Sequence, residues 1–469
     1  MEKKNYIVAI DLGTNTVAAV VGTRGDDGRV TIIDAEISPV QGMVRGEIKN
    51  IEQVAAGIKQ TVEAVEERLG IKVMEAYAGI SGHHIRSVKQ PYHVFVGRDG
   101  EIREEDVRML HDSMRNVQAP DGEKIIQIIP QNYIVDDEEE TENPVGTFGK
   151  KLGGTFNFVI GDANAIGRVE RALARVEIKS LGVFLNAVAS AEAAATAEEK
   201  EEGVAVVDIG GGMTDVTIWY KNSIRHVGII PLGGNSINKD IRSYGILEKH
   251  IENLKVKYGS AMRDLAQGDK YITTPGLSAR APKEISFKNL AAIIEARMLD
   301  IIDLVMEDVK ASGYKDKLGA GVVLTGGTAQ LKDLAELFKS YTGIDVRIAL
   351  PEAGIEEDSK VELCAALSTA VGIVIKGLEG GKATRFEKTR HTTITNAAGD
   401  GPERTPLSKR SVNDLYENRP KKKSKDYDDE DEIDDFAGDD DEGRKKGGLF
   451  GKLKERINNM FDVIDDNEI

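Results

Sequence analysis

Two aspartates in this chain stand at the ends of apolar, β-rich runs, and each is followed by a glycine turn. Asp11 sits in "YIVAIDLGTNTVAAVV" and Asp208 in "VAVVDIGGGMTDVTIWY". The segments share one pattern: buried run, Asp, aliphatic residue, Gly, small polar turn, second run. Such a turn opens backbone N–H groups that cradle phosphate oxygens, and the aspartate can reach Mg²⁺, usually through water. A single copy is most often only a tight hairpin. Two copies, about 200 residues apart, imply two similar half-molecules facing each other, with room for a triphosphate between them.

A third turn, in "VVLTGGTAQL", follows a strand and is expected to open a helix. Gly326 and Gly327 would let a ligand approach the backbone, and the helix N-terminus would add partial positive charge. Other chemistry is poorly supported. "GTFGKK" lacks P-loop spacing and its Ser/Thr. His83 and His84 are adjacent on an expected strand end and point opposite ways, a poor metal pair. Cys364, in an apolar run, reads as packing.

The elements that must position these turns follow from periodicity. "NIEQVAAGIKQTVEAVEERLG" carries Val54, Ile58, Val62, Val65 and Leu69 at helical spacing before a glycine stop. From about residue 85 short strands flank the helix "REEDVRMLHDSMRNV", which reads as a small α+β insertion. "LGVFLNAVASAEAAATAEE" reads as one Ala-rich helix, 235–312 as mostly helical, and "CAALSTAVGIVIKGL" as the closing helix. Beyond about 380 the chain is polar and aperiodic, and disorder is expected to about 443.

Composition bounds the function. The chain has 469 residues, 40% hydrophobic and 30% charged, enough for two or three domains. A net charge of -17 argues against nucleic-acid binding by bulk charge. No run approaches a membrane-spanning length.

The end of the chain is different. In "GLFGKLKERINNMFDVI", Leu449, Phe450, Leu453, Ile457, Met460, Phe461 and Ile464 form one helical stripe, flanked by Lys452, Lys454 and Arg456. That pattern suits a helix lying in a membrane interface.

The ordered set of turns resembles the actin, heat-shock chaperone and sugar-kinase superfamily, whose phosphate-1, phosphate-2 and adenosine motifs match residues 8–21, 205–218 and 321–331. The inserted domain, with "AGISGHHIRSV", "ENPVGTFGKKLGG" and "IIPLGGNSINKDI", is similar to the actin-like cell-division family FtsA. The resemblance covers residues 5 to about 377 and the terminal helix.

It implies an α/β, actin-like two-lobed ATPase fold of duplicated RNase H-like domains, with an inserted small α+β domain, a disordered tail and a terminal amphipathic helix. Residues 1–84 and 163–198 would form domain 1A, 85–162 the insertion 1C, 199–234 and 316–380 domain 2A, and 235–315 subdomain 2B. A disordered linker over 381–447 would lead to the membrane helix at 448–464.

The resemblance also implies ATP and Mg²⁺ as ligands. Asp11 and Asp208 would hold the Mg²⁺ shell. Gly13, Thr14, Asn15 and Thr16 would wrap phosphates from one side, and Gly210, Gly211, Gly212 and Thr214 from the other, with Gly233 and Gly234 nearby. Glu252 and Lys255 would meet ribose and adenine, and Gly326, Gly327 and Thr328 would finish the adenosine site. Chaperone-type members carry a glutamate where Asn186 stands here. Asn186 can orient a water but cannot take its proton, and Glu192 lies farther along, so slow ATP hydrolysis at most is expected. Implied partners are the C-terminal peptide of the tubulin-like protein FtsZ, through Lys283, Glu295 and Arg297, further copies in a filament, later division proteins, and an anionic membrane at the cytoplasmic face of the septum. A soluble kinase or a chaperone of the same superfamily would leave the terminal helix unexplained.

Overall fold

One strand pattern occurs twice. Tyr6–Leu12 pairs antiparallel with Thr16–Arg24, which pairs antiparallel with Val30–Pro39. On its other side Tyr6–Leu12 pairs parallel with Glu75–Ile80, which pairs parallel with Lys179–Leu185. The second sheet repeats this order. Val204–Ile209 pairs antiparallel with Thr214–Tyr220, and that with Ser223–Ile230; on the other side come Val322–Thr325 and Val346–Ile348, both parallel. Each sheet thus has five strands with the hairpin strand in the centre. A central strand is buried on both faces, so it needs the apolar runs that carry Asp11 and Asp208.

This computed structural model describes residues 5–25, 28–97, 99–138, 140–268, 270–275, 282–356, 361–380 and 382–388, and the backbone of 435–437. The stripe from Leu449 to Ile464 lies outside the described residues.

Two helices cross between the sheets. Asn186–Ala194 and Ser368–Gly380 pack so closely that a Cβ on Gly372 would lie 1.7 Å from the carbonyl oxygen of Ala189. Helix Ile51–Leu69 forms as its spacing predicts: Asn50 caps its start by accepting from Gln53 N–H, and left-handed Gly70 ends it.

The insertion is a four-stranded antiparallel sheet with Lys151–Asp162 between Arg86–Phe95 and Glu123–Val135, covered by helix Glu104–Arg115. Its own core includes Ile102, Leu110, Met114, Phe156 and Phe158.

The structure departs from the sequence reading in three places. The segment "KSLGVFL" is an edge strand, and the Ala-rich helix begins only at Asn186. Phe184 and Val183 favour the pleated surface once Glu75–Ile80 offers an edge. The stretch 235–312 holds a hairpin, Lys270–Thr274 with Lys283–Ser286, between its helices. The ordered body also runs past residue 380. Thr384 is buried and its hydroxyl accepts from Val8 N–H, Arg385 pairs with Glu75 at 2.8 Å, and Phe386–Lys388 pairs with Ile71–Val73. Within the span expected to be a linker, Asp435–Ala437 also pairs antiparallel with Lys270–Thr274.

Candidate functional site

The two central hairpins meet at a cleft of about 360 Å³, within the usual range for a small-molecule site. Their turns touch. A Cβ on Gly211 would lie 2.5 Å from Asn15 Nδ2, and one on Gly212 would lie 2.5 Å from Thr14 Oγ1. Only glycine permits that approach. Gly13, Thr14, Asn15, Thr16, Gly210, Gly211, Gly212, Gly326, Gly327 and Thr328 all line the cleft.

Asn15 and Asn235 bridge the lobes directly. Asn15 Nδ2 donates to Asn235 Oδ1 at 2.8 Å, and Asn235 Nδ2 donates back to Asn15 Oδ1 at 2.9 Å. Asn235 lies at the start of helix Gly234–Ser243. Replacing both by aspartate puts two acceptors face to face. The double variant should release a bound fluorescent nucleotide about tenfold faster in stopped flow, whereas N15D alone, which keeps one N–H···O bond, should change the rate less. Equal rates for all three proteins would show that the pair does not hold the cleft closed.

Three aspartates form the floor. Asp208 and Asp215 are direct cross-strand partners in the second hairpin. Burial first, and then repulsion from Asp208, raises the Asp11 carboxyl from 3.8 to about 7, against a lowering hydrogen bond from Asn186. Burial and then the charge of Asp208 raise Asp215 from 3.8 to about 8. Burial also raises Asp208, although Ser190 and Thr369 hydroxyls favour its charged form. Ser81 Oγ donates to Asp215 at 3.0 Å, and Thr369 Oγ1 to Asp208 at 3.2 Å. Three hard-oxygen donors pressed together against their own charge suit a divalent cation. Among the described residues no three such side chains converge tightly enough to ligate a metal unaided, so waters and phosphate oxygens would complete the shell. A cation held there would screen phosphate charge.

Asp215 was absent from the sequence reading. The signal was present, because hairpin register sets the residue seven positions after Asp208 opposite it. The same register moves Thr214. Successive strand side chains alternate in direction, and with Asp215 turned to the cleft Thr214 turns away, fully buried, its hydroxyl donating to Leu232 O at 2.9 Å. Its expected place on the phosphates is therefore corrected. Gly233 and Gly234 also stand behind the turn. Gly234 N–H bonds Gly210 O, and a Cβ on Gly233 would meet that same oxygen at 2.5 Å.

Glu252 and Lys255 reach the other end of the cleft. Their side chains pair at 2.8 Å, Asn238 Nδ2 also donates to Glu252 at 2.6 Å, and Lys255 is buried. The third glycine turn does not open a helix directly. A 3₁₀ turn at Thr328–Gln330 intervenes, and the helix begins at Leu334. Its terminal charge is thus removed from the turn. Gly326, at φ +92°, lets the chain pass where a Cβ would lie 2.2 Å from Asp208 Oδ1, and Thr328 Oγ1 donates to Gly210 O at 2.9 Å.

The two candidate catalytic residues separate. Asn186 lines the cleft, donates to Asp11 Oδ1 at 3.2 Å, and keeps a buried Oδ1 with no partner. Glu192 does not line the cleft. It pairs with Lys200 at 2.7 Å and Lys376 at 3.5 Å. Its burial would raise the carboxyl, but the two lysines outweigh that and lower it. Glu192 is a structural ion-pair residue, and its catalytic assignment is withdrawn.

The expected partner residues are also dispersed. Lys283 is exposed. Glu295 accepts from the backbone N–H of Arg263. Arg297 is mostly buried and neutralised by Asp240 at 2.6 Å and Asp300 at 3.1 Å. These three do not make one cationic patch.

Comparison with known proteins agrees with this architecture. Residues 205–372 match the model of the cell division protein FtsA, and residues 82–160 match the SHS2 domain inserted in FtsA. The cell division protein FtsA of Neisseria meningitidis is 32% identical over 377 residues, 80% of this chain and 90% of that protein. The chain belongs to the FtsA family. The FtsA proteins of Pseudomonas aeruginosa and Escherichia coli are 31% and 29% identical, over 81% and 80% of this chain and 91% of each of those proteins. A solved type IV pilus biogenesis complex, PilM-PilN, shares the fold with a TM-score of 0.55 at 15% identity, covering 80% of this chain and 99% of that one. This FtsA family member therefore has an actin-like two-lobed fold with the family's inserted domain.

Proposed function

We propose that this FtsA family member binds Mg²⁺ and ATP in the cleft, polymerises, and tethers the FtsZ ring to the cytoplasmic face of the membrane at the division septum, where it recruits later division proteins. The observation that carries the nucleotide reading is the pair of glycine turns in contact above three cleft-lining aspartates, of which Asp215 is buried. Hydrolysis is slow, because Asn186 beside Asp11 can hold a water and cannot accept its proton. Among the described residues no helix is long and apolar enough to cross a membrane. Attachment then falls to the amphipathic stripe at 449–464. One such helix binds lipid weakly, and a polymer aligns many of them, so polymerisation turns weak contacts into avidity. The FtsZ peptide docks on the 235–315 subdomain, with Lys283 as an exposed cation.

The test is co-sedimentation with anionic liposomes, with and without ATP, comparing the full chain with one cut after Glu442. Loss of pelleting on truncation, and ATP-enhanced pelleting of the full chain, are expected. Equal pelleting of both chains sinks the tether.

A further inference from the structure

The inserted domain is bolted to both lobes. Its root lies on the first lobe: Ser81, four residues after Tyr77 in the first sheet, leads into strand Arg86–Phe95. Its body is fastened to the second lobe. Gln131 Nε2 donates to Ile224 O at 2.7 Å, and Arg225 Nη1 donates to Gln131 O. Both side chains are buried, Gln131 at 9% exposure and Arg225 at 7%. Arg225 Nε also donates to Tyr220 O at 3.1 Å. Outside this bolt Lys221 pairs with Glu142 at 2.8 Å, and Ile129 of the insertion shares an apolar cluster with Ile224 and Val227. Burying a guanidinium on backbone carbonyls is costly unless geometry is held. The contact is therefore a fixed joint rather than a sliding one.

That joint sits on an informative element. The hairpin Thr214–Tyr220 with Ser223–Ile230 carries Asp215 at one end, in the cleft, and Tyr220, Ile224 and Arg225 at the other. The ends lie roughly 17 Å apart at about 3.3 Å per residue. His226, 2.8 Å from Asp308, pins the hairpin to helix Phe287–Ala311. Ser81, at the insertion's root, bonds the same Asp215. The hairpin thus meets the insertion at one end and, at the other, the first-lobe residue that leads into it.

We propose that this hairpin is a strut that transmits occupancy of the cleft to the inserted domain, with Gln131 and Arg225 as its output joint. A ligand that draws Asp215 toward a shared cation shifts the hairpin, and the joint obliges the insertion to follow. This rests on the nucleotide reading above. An effect at the far side requires that occupied and empty states differ in free energy at the joint, which a buried, directional joint supplies.

The test is hydrogen–deuterium exchange on the full chain, with Mg²⁺ alone and with Mg²⁺ plus a non-hydrolysable ATP analogue, beside a calorimetric binding measurement. In the natural protein, exchange should change in the turns around Gly13 and Gly211 and also in Glu123–Val135. In Arg225→Ala the analogue should still change the turns, and the response of Glu123–Val135 should be lost. Gln131→Ala, which removes one bond of the joint and leaves Arg225 in place, serves if Arg225→Ala does not fold, and should shrink that response. An unaltered Glu123–Val135 in the natural protein with analogue bound overturns the strut alone. A full response in a folded joint variant does the same. Failure of the analogue to bind overturns both the strut and the nucleotide reading.

Discussion

Asp215→Asn should make the protein more stable and less able to bind its ligand. The carboxyl at 215 is raised from 3.8 to about 8 by burial and by its cross-strand neighbour Asp208. In the unfolded chain it would ionise near 3.8. Between those values the folded state holds a proton that the unfolded state has released, so stability falls as pH rises through that window. Asp11 adds the same slope from 3.8 to about 7. At pH 7.5 the Asp215 contribution is about 5 kcal/mol against folding.

An amide keeps the shape and can still accept from Ser81, while removing the charge. The variant should melt roughly 5 °C higher at pH 7.5, and its advantage should vanish near pH 4. In return its affinity for Mg²⁺ with ATP should drop about 100-fold, since the amide oxygen that replaces the carboxylate carries no negative charge toward the cation. In the natural protein, ligand affinity should rise between pH 6 and 8 as the carboxyls ionise. Thermal melts over pH 4–8 with calorimetric titrations decide this. A variant less stable than the natural protein at pH 7.5 refutes it.

Gly372→Ala should force two crossing helices apart. The added Cβ would lie 1.7 Å from Ala189 O and 2.9 Å from Ala189 Cα. Backbone cannot give as a flexible side-chain tip can, so helices Asn186–Ala194 and Ser368–Gly380 must separate. Overpacking of this kind costs about 3 kcal/mol or more. The effect reaches the cleft because these helices supply Ser190 and Thr369 to Asp208. Denaturant melts should show the loss, and the surviving folded fraction should bind nucleotide more weakly. Gly167→Ala is the matched control. Gly167 lies within helix Ala163–Ala174 with nothing within 4 Å of its added Cβ, so this change should stabilise by about 0.5–1 kcal/mol. Similar melts for the two variants would refute the close-crossing argument.

The hairpins were legible because their signals are local: an apolar run, an aspartate and a glycine turn fix both the strand pair and the place where it ends. Their duplication then implied the two facing sheets. What was illegible depended on partners distant in the chain. Glu192 looked available until Lys376 closed on it, and Arg297 looked like a docking cation until Asp240 did the same. Thr214 and Asp215 are a different case. The family resemblance put the threonine on the phosphates, but alternation along the strand decides which neighbour faces the cleft. Strand "KSLGVFL" was misread because alanines just beyond it extend the helical pattern backward, and only the parallel edge of Glu75–Ile80 overrides them.

The closing helix has a consequence for how the chain is made. Ser368–Gly380 packs its Val371 and Val374 into the same cluster as Ile7, Ala9 and Val20 of the first strands, and Phe386–Lys388 is sewn to Ile71–Val73. A ribosome therefore delivers the strands of the first lobe early and their covering helix last. The second sheet, drawn from Val204 to Ile348, emerges whole while the first still waits. The stretch 449–464, with its apolar stripe, leaves the ribosome only after every piece needed to close the body is already outside.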